Sequence, residues 1–169
     1  MDSFARLLQN SYESEITMTN LSQGGKTSDW GVTQAPVAAV YKPDLVIIAF
    51  STNDAYGNGM SKEQFAKNLN TMISTIRAEN PDAEFILGAS YIPNPELSDT
   101  NHERLAEFKA AIAEIAATGD DIAMVDMNAV STKMLEYKDY IDFSGSNRNH
   151  PNGYFHRWYA QMFASLLVK

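Results

Sequence analysis

Asp44-Leu45-Val46-Ile47-Ile48-Ala49-Phe50 is a nearly unbroken apolar run. It is too short for a buried helix and rich in β-branched residues, so it reads as a strand covered on both faces, the habit of parallel sheets. Downstream, Glu84 to Ser90 and Asp121 to Asp126 read the same way. Between these runs the apolar period changes to that of a helix. Phe65, Leu69, Met72, Ile73 and Ile76 share one face behind Ser61-Lys62-Glu63-Gln64, a capping-box pattern, and Pro81 lies beyond the end of that helix. Leu105, Phe108, Ile112 and Ile115 face inward from a helix over 101–117, ended by Gly119. Upstream, the pattern predicts a short helix from Phe4 to Tyr12, a strand from Glu15 to Leu21, and a turn at Gln23-Gly24-Gly25. Thr27 or Ser28 caps a following helix, and Pro36 sits early in a second helical piece ending near Tyr41. After the last strand come a short helix, an irregular stretch from Tyr140 to Asn149, and a final helix opened by Pro151 and running through Leu167. Strands alternating with helices predict an α/β fold, a parallel sheet with helices on both faces.

The totals bound the function. A chain of 169 residues suits one domain with one core, here expected over 1–169. The net charge of -8 leaves no basic stripe to neutralise phosphates, so no nucleic-acid partner is expected. There is no cysteine, which rules out disulfides, thiolate chemistry and Cys-based zinc sites. No apolar run approaches the roughly 18 residues of a membrane span, and Met1 to Arg6 lacks a signal-peptide core. There is neither a P-loop nor a GxGxxG motif, and no metal or organic cofactor is called for.

In such sheets ligands bind beyond the carboxyl ends of the strands, and three segments fall there. Asn20-Leu21-Ser22-Gln23-Gly24-Gly25-Lys26-Thr27-Ser28 holds a glycine pair that leaves a backbone N–H pointing outward, fit for an anion or simply an ordinary turn. Ser51-Thr52-Asn53-Asp54 places a side-chain amide where it can stabilise an oxyanion, or where it forms a common Asx-turn or helix cap. Asn147-Arg148-Asn149-His150-Pro151-Asn152-Gly153 puts a histidine in a loop before the last helix, as a general base or a surface residue. Of the other histidines, His102 is expected to be exposed near a helix start and His156 to be structural, inside the last helix.

Taken together, the three segments resemble the SGNH (GDSL-type) hydrolases, whose namesake blocks supply a serine, a glycine, an asparagine and a histidine. The 20–28 stretch is similar to the glycine block. KPDLVIIAFSTND at 42–54 resembles the asparagine block, and HPNGYFHRWYAQ at 150–161 the histidine block and its helix. PDAEFILGASYIPNP at 81–95 looks like the family's next strand and loop. The resemblance spans essentially the whole chain. It implies a flavodoxin-like three-layer α/β/α sandwich and an ester hydrolase. His150 would take the serine's proton. Gly25 N–H, the Asn53 amide and the serine's own N–H would hold the oxyanion.

The chain departs from the family's pattern in several places. The family's serine follows the first strand in a Gly-Asp-Ser motif. Here Asp2-Ser3 has no strand before it and lies too close to Asn20, and Ser3 to Leu8 matches the helix after the nucleophile loop. The expectation is therefore that the first central strand and the nucleophile block are absent and that the chain is a fragment of a longer enzyme. An unpaired sheet edge would follow, open to self-association. Where the family often has an aspartate three residues before the histidine, this chain has Asn147, with Asp142 as a possible replacement acid. Ser51 stands where glycine is common. The resemblance points to short acyl esters of carbohydrates, with Tyr91-Ile92-Pro93-Asn94-Pro95 and the stretch from Asp54 to Met60 bordering the site. Longer acyl chains (a lysophospholipase or thioesterase), a non-catalytic carbohydrate-binding domain and a flavodoxin-like phosphate binder are the rival readings.

Overall fold

The central strand is the one most completely buried. In a computed structural model describing residues 2–56, 59–97 and 101–168, β2 (Glu84–Ala89) lies between β1 (Leu45–Ile48) and β3 (Ile122–Asp126). Both pairings are parallel, with Leu45 opposite Glu84 and Phe85 opposite Ile122. Phe85 to Ala89 are all buried. In β1 only Ile48 is buried, while Leu45, Val46 and Ile47 are half-buried. The double-faced burial read into 44–50 thus belongs to β2. The apolar run of β1 stands at a sheet edge.

Helices cover both faces, as the alternation of strand side chains requires. On one face Val46, Ile48, Phe85, Leu87, Ile122 and Met124 pack against α2 (Ser28–Ala39), α4 (Lys62–Arg77) and α5 (His102–Ala116). On the other, Leu45, Ile47, Ile86, Ala123 and Val125 pack against α1 (Asp2–Ser11), α6 (Met127–Met134), α7 (Tyr140–Phe143) and α8 (Gly153–Ala164). The result is the three-layer α/β/α sandwich. Gly88 sits where α8 presses on the sheet: a Cβ there would come within 2.8 Å of the Phe163 ring.

Several local expectations are corrected. Residues 15–21 form no strand and join no sheet; the Ile16 N–H bonds the Gln9 side chain instead, and only Ile16 and Leu21 are half-buried. Their alternation fits a strand, but an isolated segment gains nothing from β geometry without a neighbour to pair with. Only half of the capping box holds. Ser61 accepts the Gln64 N–H at 3.2 Å, while the Gln64 side chain turns to Asn68 at 2.8 Å. The last helix begins after Pro151, at Gly153. Asn152 caps it by accepting the N–H groups of Tyr154 and Phe155, and Pro151 instead bridges to Ser144. His102 opens α5 half-buried rather than exposed, and His156 is exposed on α8.

Candidate active site

Hydrogen bonds join the segment after Gly25 to the short helix that carries Asn53. Gly25 has φ +77°, which side-chain-bearing residues rarely adopt. Its turn leads into Lys26, Thr27 and the start of α2. Asn53 lies in α3 (Thr52–Tyr56), directly beyond the end of β1. Its Nδ2 donates to the Lys26 carbonyl at 3.0 Å. An amide nitrogen carries two hydrogens, so the second remains for a ligand. Below this contact the Asp54 carboxylate, 1% exposed, joins the same two stretches. Its Oδ1 accepts the Ser28 N–H (2.7 Å) and hydroxyl (2.5 Å), and its Oδ2 accepts the Ser51 N–H (3.2 Å). Asn68 of α4 reaches the Ser28 hydroxyl at 2.9 Å. Thr52 and Ser90 share a hydroxyl–hydroxyl bond that ties the carboxyl ends of β1 and β2.

Ser51 is strained. Its φ is +131°, a region that favours glycine. Its side chain is buried, and Oγ makes no hydrogen bond among the described residues. A hydroxyl so enclosed is inaccessible to substrate, so the strained serine is no substitute nucleophile. Ser3 lies within α1, with no strand ahead of it among the described residues.

His150 occupies a tightly closed loop. The Gly145 N–H bonds the His150 carbonyl at 2.7 Å and the Ser144 hydroxyl meets the same oxygen at 3.1 Å. Asn94, 1% exposed and from the loop after β2, clamps the loop from the side. Its N–H donates to the Arg148 carbonyl (2.8 Å), and its Nδ2 to the Asn147 carbonyl (2.9 Å) and side-chain oxygen (3.3 Å). Asn147 has φ +52°. Its side-chain oxygen meets Asn94. The Asp142 carboxylate closes the capping box of α7 by accepting the Asp139 N–H at 3.2 Å. Among the described residues the partner of the His150 ring is Ser146, whose Oγ lies 3.4 Å from Nδ1. The structure thus ties Asn53 to Lys26, the residue after Gly25, and sets Ser146 beside the His150 ring, with Asn94 bonded to Asn147 and Arg148 of the same loop. Among the described residues no hydrogen bond joins His150 to Asn53 or Gly25. Of the stretch from Asp54 to Met60, positions 57 and 58 lie outside the described residues.

Tyr91, in the loop after β2, belongs to an aromatic cluster. Tyr91, Tyr140, Phe143, Phe155 and Tyr159 form a chain of ring contacts. Burial pushes the phenols of Tyr91 and Tyr140 above the ordinary tyrosine range and that of Tyr159 up to about 12. The phenols are therefore neutral here: the Tyr140 hydroxyl bonds the Ile92 and Arg148 carbonyls and the Tyr159 hydroxyl accepts the Tyr91 N–H.

Residues 1–158 match the GDSL-like Lipase/Acylhydrolase family. The chain belongs to that family. Solved structures agree on the fold of this GDSL-like protein. A catalytic mutant of an acetylxylan esterase from Geobacillus stearothermophilus superposes with a TM-score of 0.84 at 18% identity, over 98% of this chain and 80% of that one. The lipase/acylhydrolase from Enterococcus faecalis gives 0.81 at 21% identity, over 98% and 83%. A carbohydrate esterase family 3 protein from Talaromyces cellulolyticus gives 0.69 at 17% identity, over 85% and 67%. No curated protein matches this GDSL-like chain. The family and its structural neighbours are esterases and acylhydrolases, and among the described residues no helix is long and apolar enough to cross a membrane.

Proposed function

We propose that this domain hydrolyses short acyl esters, with O-acetylated carbohydrate as the substrate class. The observation that carries the reading is the locked pair of loops at the carboxyl end of β1. There the Asn53 amide and the Gly25 turn are fixed to each other through Lys26 and Asp54. Donors held rigidly in advance are what an oxyanion requires, because they need no reorganisation as charge develops, and each is worth about 3 kcal/mol in the transition state. His150 takes the proton of the attacking hydroxyl and returns it to the leaving alcohol. β1 is an edge strand among the described residues, and a strand pairing on its outer side would present the attacking serine. The carbohydrate preference draws on the acetylxylan and carbohydrate esterases among the structural neighbours.

Hydrolysis of acetylated xylo-oligosaccharide by the purified chain, followed by acetate release, tests this reading. Release that disappears in His150→Ala supports it. A second reading, a carbohydrate-binding domain without catalysis, is favoured by the amide at Asn147 and the burial of Ser51 beyond the end of β1. Binding of the oligosaccharide with no acetate release in either protein would select that second reading.

A further inference from the structure

We propose that Ser146 is the positioning residue for His150, and that it holds the neutral ring with its proton on Nε2. The functional meaning of this rests on the reading of His150 as the proton carrier. Ser146 Oγ sits at the centre of the loop that closes between Ser144 and Pro151. It accepts the backbone N–H groups of Arg148 (3.3 Å), Asn149 (3.3 Å) and His150 (3.2 Å), and it lies 3.4 Å from the His150 Nδ1.

A hydroxyl has two lone pairs and one proton. Three N–H dipoles already converge on the lone-pair side of this oxygen. A fourth, from a protonated Nδ1, would find little electron density left and would be repelled by the other three. The O–H is the group that remains for Nδ1, which therefore accepts. A neutral imidazole carries one N–H, so that hydrogen stands on Nε2. A carboxylate in the same place does the opposite. It can only accept, it demands Nδ1–H, and it leaves Nε2 free to take a proton. Ser146 thus presents His150 as a hydrogen-bond donor at rest. The ring becomes a base only after the Ser146 hydroxyl turns away or the ring exchanges its proton. Asn147 takes no part, because both of its oxygens face Asn94.

The test is nitrogen-15 NMR of the histidine rings in the full chain, at alkaline pH where a histidine ring is neutral. The expected result is an unprotonated Nδ1 and a protonated Nε2 for His150. Ser146→Ala should leave a mixture of tautomers. Ser146→Asp, whose carboxylate still accepts the three N–H groups, should reverse the assignment. The rings of His102 and His156 serve as references and should keep their signals, which also confirms folding. Nδ1–H in the wild-type ring, or one tautomer common to the wild type and Ser146→Asp, overturns the proposal. If Ser146→Ala fails to fold, the other two spectra decide. Because NMR reads the ring and not turnover, an absence of ester hydrolysis leaves the tautomer assignment intact.

Discussion

The carboxylate of Asp54 receives both the N–H and the hydroxyl of Ser28, at 2.7 and 2.5 Å, across the boundary between the glycine turn and the asparagine loop. Removing it leaves buried donors from Ser28 and Ser51 without an acceptor. Hydrogen bonds to a charged group, together with the cost of stranding their partners, amount to about 2–4 kcal/mol. Asp54→Ala should lose that much stability in urea denaturation, and Asp54→Asn somewhat less. A loss under about 1 kcal/mol would mean that the two loops hold their places without the clamp.

Ser51 leads to the opposite sign. Its φ of +131° and its buried, unpartnered hydroxyl are both unfavourable. Ser51→Gly removes the two together and should stabilise the fold by about 1 kcal/mol, a rise in Tm of roughly 2–5 °C. An unchanged or lower Tm would show that the serine hydroxyl makes an interaction worth more than the strain.

Asn94 sits between Pro93 and Pro95 and makes its bonds to the histidine loop from a buried position. Asn94→Ala should cost about 1–3 kcal/mol and speed hydrogen exchange across 145–150 well beyond the change in global stability. Ester hydrolysis, where present, should fall without a change in the tautomer of His150.

Gly88 leaves room for the Phe163 ring of α8 against the sheet. Gly88→Ala must displace Phe163, at an expected cost of about 1–3 kcal/mol. The double variant Gly88→Ala/Phe163→Leu should recover part of the loss. Additive losses in the two single variants would argue against the contact.

The tyrosine cluster predicts an alkaline limit. The folded pKa of Tyr159 is raised to about 12, against an ordinary value near 10. Between these values the folded state binds more protons than the unfolded one, so stability falls as pH rises through that window. Tyr91 and Tyr140 shift in the same direction. Tyrosinate absorbance should therefore lag behind the eight tyrosines of the chain until unfolding releases the remainder together. A smooth titration of all eight in the folded protein would contradict this.

The three strands are legible in the sequence because each apolar run is bounded by turn residues and separated by a helix-period segment. The placement of Asn53 beyond β1 and of His150 before the last helix is legible for the same reason, whereas no strand leads into Gly25. Pairing is not. Glu15 to Leu21 has a strand's alternation, but alternation does not reveal whether a neighbour exists. The supporting residues are less visible still. Asn94 reads as a turn residue between two prolines, and Ser146 as one more small polar residue in a loop of Ser, Gly and Asn. Asp54 reads as an ordinary helix-start acid. Each acts through partners far away in the chain or through loop closure, and residue type and spacing carry no record of that. Only Asp54 leaves a trace, as the residue after the amide at a strand end.

The parallel ladder has a consequence for the order of assembly. Each strand meets its neighbour only after the chain has passed through an intervening helix, so every pairing closes a long loop. The Asp54 clamp needs α2, β1 and α4 already in place, since Ser28, Ser51 and Asn68 come from three separate stretches. The end that carries Asn53 and Asp54 is therefore expected to order late in folding and to loosen early on heating. Ligand affinity should fade several degrees below the temperature at which the sheet itself melts.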